Sequence, residues 1–347
     1  MKLSILVPHY KEPAGVIKPL LDSINLQQSV DLHAAIEVII CHDGREEDGV
    51  HEFWFTYNVD NCMPDEFGLP DIYNFPIIQI RQDHKGVSAA RNACLEVARG
   101  DYVMFCDVDD MFCDVCGLYM IFNEINKNGN FDSLVSCFVE ETRNPVTKDI
   151  LYLRHEIDST FVHGKIHRRR YLIEQNIRWN ENLTIHEDSY FNILCQNLSK
   201  NVKHCPKPFY LWKWRDDSVC RHDPKYVLKT YKNLIDSNDA LIGEFLKRNV
   251  QDKAVFYVVF MIFDAYYTMN KPDWINQENK EYRDSTERRF ADYYKKYKDI
   301  WLSAPTNDKM IASNQIRGRN VLEGMQMEAV TIDAWLQHVE QLPEVTL

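Results

Sequence analysis

No stretch of this 347-residue chain reaches the roughly 18–20 consecutive apolar residues that a helix needs to cross a bilayer. The best candidate, Val255 to Phe263, soon meets Asp264 and reads as a buried helix. The opening residues carry one lysine and a short apolar run, Leu3 to Val7, before Pro8. That is too little for a secretory signal, so the expected address is cytoplasmic. Excess positive charge is also missing. The formal net charge of −12 argues against a nucleic-acid partner, which needs a basic footprint. Internal repeats and low-complexity tracts are absent. No second cysteine pair stands at metal spacing, so the lone Cys113-x-x-Cys116 points to neither zinc nor redox chemistry. The ten cysteines, scattered mostly through apolar segments, are expected to be reduced core residues.

The chain does contain enough apolar residues for a sizeable core, 45% hydrophobic against 27% charged, and its length suggests about two domains. The first third alternates between strand and helix periods. Leu3 to Val7, Ile36 to Cys41, Ile77 to Ile80 and the segment from Tyr102 read as strands. Between them, Val16, Leu20, Leu21 and Ile24 recur at helical spacing. Ser88 to Arg99 follows as a helix with Ala90, Cys94 and Val97 or Ala98 inward and Gly100 as its stop signal. This alternation predicts a parallel α/β sheet. Residues 49 to 76 interrupt it with seven aromatics and three prolines, as a packed surface loop or a flap over a site. Residues 131 to 220 look mixed, with a strand at Leu134 to Val139. Beyond a boundary near Asp223-Pro224 the chain turns helical, with apolar spacing in Tyr226 to Leu246, Ala254 to Met269 and Ser285 to Tyr297. The expected organisation is therefore an α/β domain over 1–222 and a helical extension over 223–347.

The Tyr102 strand ends in Asp107-Val108-Asp109-Asp110. Three carboxylates in four residues repel one another unless something positive sits among them. A hard divalent cation is the usual occupant, and such an ion binds phosphate in turn. In parallel sheets ligands bind at the carboxyl ends of strands, and Asp43 closes the second strand as these acids close the fourth.

Five segments in order resemble the glycosyltransferases of family 2, which have the GT-A fold, a Rossmann-like nucleotide-diphospho-sugar transferase architecture. They are Leu3-Ser4-Ile5-Leu6-Val7-Pro8-His9-Tyr10, Ile39-Ile40-Cys41-His42-Asp43-Gly44, Lys85-Gly86-Val87-Ser88-Ala89-Ala90-Arg91-Asn92, Asp107-Val108-Asp109-Asp110, and His163-Gly164-Lys165-Ile166-His167-Arg168-Arg169 leading to His186-Glu187-Asp188. The resemblance covers about residues 1 to 220. It implies a nucleotide-sugar donor, expected to be a UDP-sugar, with Mn²⁺ or Mg²⁺ as cofactor and a glycan or other hydroxyl-bearing acceptor. It further implies that Asp43 hydrogen-bonds the base, that Pro8 and Tyr10 lie beneath the nucleoside, and that Arg91 frames the nucleotide pocket. Asp107 and Asp109 match the D-x-D metal pair, with Asp110 in support of the metal or touching the donor sugar. Asp188 matches the general base, next to Glu187. The family commonly has a second acid where His42 stands and Asn where Lys11 stands.

The chemistry accounts for these residue types. A nucleoside diphosphate leaves readily only when its growing negative charge is neutralised, and a carboxylate must take the proton from the acceptor hydroxyl. Direct attack assisted by one base inverts the anomeric centre. Phe191, Leu194, Cys195 and Leu198 at i, i+3, i+4 and i+7 put Glu187 and Asp188 in the first turn of an amphipathic helix, where the dipole favours the ionised carboxylate. A plain helix cap is the alternative reading of the same two acids. In Trp212-Lys213-Trp214-Arg215, Arg215 could reach the pyrophosphate and a tryptophan could stack on a sugar, or the segment is an aromatic edge strand with a solvated Arg. Lys165 and Arg168 to Arg170 read first as a solvated basic face. Two rival functions stand beside the transferase: a non-catalytic module of the same fold that binds nucleotide or glycan, and a haloacid-dehalogenase-type phosphatase with Asp107 as nucleophile. Self-association through the helical extension is a further expectation, motivated by its aromatic helices.

Overall fold

The structure, a computed structural model, describes residues 2–50, 73–128, 131–156, 158–216, 218, 225–276, 279–322 and 330–342. The chain divides into two compact units, Met1–Asp216 and Asp217–Leu347. The expected flap over 49–76 and the boundary at Asp223-Pro224 fall largely outside the described residues.

In the first unit the apolar runs form strands as their patterns predict: β1 (Leu3–His9), β2 (Ile36–Asp43), β3 (Ile77–Gln82) and β4 (Tyr102–Phe105). Helices α1 (Ala14–Asn25), α2 (Leu32–Ala35) and α3 (Val87–Val97) connect them. The chain continues through β5 (Met111–Phe112), α4 (Gly117–Asn128), β6 (Ser133–Ser136), β7 (Phe138–Arg143), β8 (Ile150–His155), β9 (Lys165–Arg168), α5 (Arg169–Glu174), α6 (Glu187–Leu198), β10 (Val202–Cys205) and β11 (Tyr210–Trp212). Seven strands make one sheet in the order β10-β6-β9-β4-β1-β2-β3, and four make a second in the order β5-β11-β7-β8. β1 runs parallel to β2, with Leu3 opposite Ile36 and His9 opposite His42, and parallel to β4. All seven residues of β1 and all eight of β2 are buried, as strands covered on both faces must be. This register brings His9, Asp43 and the Asp107 loop to one edge of the sheet.

Three expectations need correction. The large sheet is mixed: β9 runs antiparallel to both β4 and β6. Between β6 and β9 the chain makes the β7–β8 hairpin and no crossover helix, so it cannot return parallel. The apolar run Leu134 to Val139 is two strands, broken at Cys137, one in each sheet. Gly100 does not stop α3, which ends at Val97 with Ala98 already extended. Glycine is needed there because a Cβ would lie 2.6 Å from the backbone nitrogen of Ser4 in β1. The Gly100 N–H instead donates to Ser4 Oγ at 2.9 Å, and Ser4 Oγ donates to the buried Glu37 carboxylate at 2.6 Å.

The second unit is helical: α7 (Tyr226–Lys247), α8 (Gln251–Met269), α9 (Pro272–Ile275), α10 (Lys280–Ser303), α11 (Thr306–Leu322) and α12 (Ile332–Glu340). The Val255 to Phe263 run lies inside α8 with Val258, Val259 and Ile262 fully buried. Among the described residues no helix is long and apolar enough to cross a membrane. Arg289 of α10 ties down Asp236 and Asp239 of α7 at 2.6 and 2.7 Å. Of the described cysteines all are free thiols, and six are buried, as expected.

Candidate active site

The carboxyl ends of β1, β2 and β4 open onto a cleft of about 340 Å³. Its walls include Pro8 and Tyr10 after β1, Asp43 at the end of β2, Arg91 of α3, Asp107 and Asp109 after β4, and Arg215 after β11. Every nucleotide-pocket residue expected from sequence except Asp110 therefore lines one cavity. Tyr10 stacks on His84, with ring centroids 4.2 Å apart and planes at 18°.

Asp43 is almost wholly buried and accepts four hydrogen bonds. One oxygen takes Gln82 Nε2 at 2.7 Å and the Lys85 N–H at 2.8 Å; the other takes His84 Nδ1 at 2.9 Å and the Gly86 N–H at 2.8 Å. This carboxylate folds the 84–86 turn, which enters α3 through Gly86 at φ +94°. His42, beside it, is buried with its Nδ1 2.8 Å from Nδ1 of His9.

Arg91 is the hub of the site. Its guanidinium is buried, lies 4.4 Å from the Trp179 ring and reaches Asp107 at 2.8 Å and Glu187 at 2.9 Å. Burial alone would weaken its charge, but the two carboxylates outweigh that and hold its pKa above the ordinary arginine value. One side chain thus couples the loop after β4 to the first turn of α6.

The acids after β4 separate by environment. Asp109 is half-buried and pairs with Arg215 at 3.1 Å. Its pKa is raised by burial and by Asp107, against the pull of Arg215. Asp110 is fully buried and accepts from the Tyr210 hydroxyl at 2.5 Å and the Lys213 N–H at 2.9 Å. Burial first, then Asp109 and Asp107, push its pKa well up. The Tyr210 hydroxyl also accepts from the Asp107 N–H at 3.2 Å, so β11 pins this loop twice. Asp107, Asp110 and His163 offer ligand atoms within 4.8 Å of one another. Two carboxylates and an imidazole suit Mn²⁺, and the oxygens suit Mg²⁺. Of the sequence-expected metal pair, Asp107 belongs to this cluster, while Asp109 lies with Arg215.

Glu187 and Asp188 open α6, and Phe191, Leu194 and Cys195 are buried along its inner face, as the spacing predicts. The balance at Asp188 differs from the dipole argument. Burial and then Glu187 raise its pKa to about 7, against the opposing influence of Arg91, the Ser189 N–H and Lys165. Desolvation costs a carboxylate more than one helix terminus returns.

A family model for glycosyl transferase family 2 matches residues 4–193, more than half of the chain. The chain belongs to glycosyltransferase family 2. Its sequence is similar to glycosyltransferase GlyA of Streptococcus pneumoniae serotype 4, at 27% identity over 63% of this chain but only 32% of that protein. An uncharacterized glycosyltransferase of Haemophilus influenzae is 31% identical over 37% of each chain, so this chain spans only about a third of either relative's length. The uncharacterized glycosyltransferase EpsJ of Bacillus subtilis is 25% identical over 74% of this chain and 69% of its own. Among solved structures, residues 1–349 of S. aureus TarS superpose with a TM-score of 0.56 over 92% of both chains, at 16% identity, and in the complex with UDP-GlcNAc with 0.57 over 96% of this chain and 95% of that one. That likeness shows the fold, which is GT-A. Membership sets the phosphatase reading aside.

Several residues of this glycosyltransferase site escaped the sequence reading. His84 and Glu12 line the cleft, and Tyr210 holds the acid loop. His163 stood in a quoted motif without a role, yet it lies 3.8 Å from Asp110, packed between Tyr210 and Trp212 at centroid distances of 5.0 and 4.9 Å. The basic face is a correction: Lys165 is buried, donates to the Phe161 carbonyl and lies 3.7 Å from Asp158, and burial lowers its pKa to about 8. Arg168 is half-buried and pairs with Asp132 at 2.5 Å, whereas Arg170, beside Glu174 at 2.6 Å, is exposed as expected. The Trp212 segment is no edge strand, because β11 lies between β5 and β7.

Proposed function

We propose that this glycosyltransferase moves a sugar from a UDP-linked donor to a hydroxyl of a glycan acceptor, with inversion at the anomeric carbon and Asp188 as general base. The observation that carries the reading is the arrangement across Arg91. A phosphate-and-metal face built on Asp107 stands on one side and a desolvated carboxylate with a pKa near neutrality on the other. A base works best when its pKa lies near the working pH. The TarS structure with a TM-score of 0.57 is a complex with UDP-GlcNAc, which supports a nucleotide-sugar donor for this fold.

The nucleoside would lie against Pro8 and Tyr10 near Asp43, and the pyrophosphate toward Asp107 and Asp109 with Arg215 beside it. A divalent cation held by Asp107 with Asp109 or Asp110, and with His163 as a nitrogen donor, would supply Lewis-acid stabilisation of the leaving diphosphate. Asp188 takes the acceptor proton as the hydroxyl oxygen bonds to the anomeric carbon and the bond to the diphosphate breaks. Arg91 keeps Glu187 and Asp107 fixed while this happens.

The test is a donor panel with Mn²⁺ and proton NMR of the product. Asp188→Asn is expected to lower transfer by about 10²–10⁴-fold with donor affinity retained. A product of retained configuration, or full transfer by Asp188→Asn, contradicts the mechanism.

A further inference from the structure

The family resemblance gives the base of the donor to Asp43, yet Asp43 has little left to offer a ligand. A carboxylate carries about four lone-pair positions. The protein itself fills them, two hydrogen bonds on each oxygen: Gln82 Nε2 and the Lys85 N–H on one, His84 Nδ1 and the Gly86 N–H on the other. The Asp43 side chain is only 3% exposed.

His84 is the opposite case. Its side chain is 47% exposed, lines the same cleft and stands on the turn after β3 that Asp43 holds. A carboxylate accepts and does not donate, so the Nδ1 atom 2.9 Å from it carries the ring hydrogen. In the neutral imidazole Nε2 is then an acceptor. The two ring nitrogens point in nearly opposite directions, so Nε2 faces away from Asp43. Among the described residues no group hydrogen-bonds Nε2.

We propose that His84 reads the donor's base by accepting a ring N–H from its Watson–Crick edge, with Asp43 as the positioning residue that fixes the accepting tautomer. This role rests on the donor being a nucleotide sugar, as proposed for the cleft, and narrows its base. Uracil offers such an N–H at N3 and guanine at N1. Cytosine and adenine carry a lone pair at the matching atom, which Nε2 repels. The stack on Tyr10 fits the same role. A hydrogen bond to a ring nitrogen lies in the plane of the ring, so the base enters the layer that His84 occupies. That layer lies within 18° of parallel to the Tyr10 ring, at a centroid distance of 4.2 Å, and a flat base in it runs along Tyr10 at stacking height. Glu12 is the other carboxylate at this end of the cleft, and it accepts the Tyr10 N–H at 2.9 Å.

Calorimetric titration of the full chain at pH 8 with Mn²⁺ tests this, using UDP, GDP, CDP, ADP and N3-methyl-UDP, which differs from UDP in having a methyl group in place of the N–H. The wild type is expected to bind UDP or GDP at least about tenfold more tightly than CDP and ADP, and the tighter of the two names the base. N3-methyl-UDP is expected to bind at least about tenfold more weakly than UDP. In His84→Ala these ratios are expected to shrink to within about threefold, while Mn²⁺ still strengthens binding, because the diphosphate end of the cleft is unchanged. A purely structural loosening would weaken all five nucleotides alike and leave their ratios as in the wild type, which overturns the proposal. A wild type that binds N3-methyl-UDP as tightly as UDP also overturns it. A His84→Ala variant that keeps the preference does so too, and assigns the N–H to Asp43 or Glu12. Failure of the wild type to bind any of the nucleotides overturns the donor-site reading itself, and this role with it.

Discussion

At Asp188 two influences compete, and their balance sets a measurable pH dependence. Burial beside Glu187 raises its pKa to about 7 in the folded chain, against about 3.9 in an unfolded one. The folded state therefore holds this proton more tightly. The group's contribution to stability is fullest at low pH and is lost as pH rises from about 4 through about 7. Replacing it with asparagine removes that titration. Asp188→Asn should thus gain stability relative to wild type by about 1–3 kcal/mol more at pH 8 than at pH 5, read by denaturant unfolding at both. Wild-type kcat/KM should climb about tenfold per unit below an apparent pKa near 7 and then level off. A gain independent of pH would show that the carboxylate is not desolvated. Arg91 has the opposite character, a buried charge compensated twice. Arg91→Met strands Asp107 and Glu187 together and should cost about 3–5 kcal/mol, with donor turnover lost in parallel. An unchanged melting temperature would mean that the bridge is not formed.

At the scale of elements, the join between β1 and β4 depends on one missing Cβ. Gly100→Ala drives a methyl group to 2.6 Å from the Ser4 nitrogen and disturbs the Ser4–Glu37 hydrogen bonds behind it. The expected loss is about 1–3 kcal/mol in equilibrium unfolding, whereas a neutral effect would show that the two strands can part freely. Elements were the most legible level of this chain. Short apolar runs gave β1 to β4, and the 3.6-residue spacing gave α3, α6, α7, α8 and α10, because burial writes itself into local sequence. The direction of β9 and the break at Cys137 were not legible. Each depends on a partner strand far along the chain, and local composition does not encode it.

The same division holds for the whole molecule. Acids at the ends of β2 and β4 could be read as a site because a parallel sheet gathers such ends on one edge. Their partners could not. Tyr210 lies 100 residues from Asp110, and Arg91 lies 96 from Glu187. Lys165 looked like surface because charge alone cannot report that a side chain is enclosed. The central claim is that this whole constellation is a working nucleotide-sugar site assisted by a metal. Its most direct test is the thermal stability of the full chain with a panel of nucleotide sugars, each with Mn²⁺, Mg²⁺ or chelator, for wild type and Asp109→Ala. A ligand that binds only the folded state raises stability with its occupancy, by about 2.7 kcal/mol at a hundred times its dissociation constant. The account predicts stabilisation by UDP-sugars that needs the cation and is lost in Asp109→Ala. No shift with any donor at millimolar concentration would contradict it.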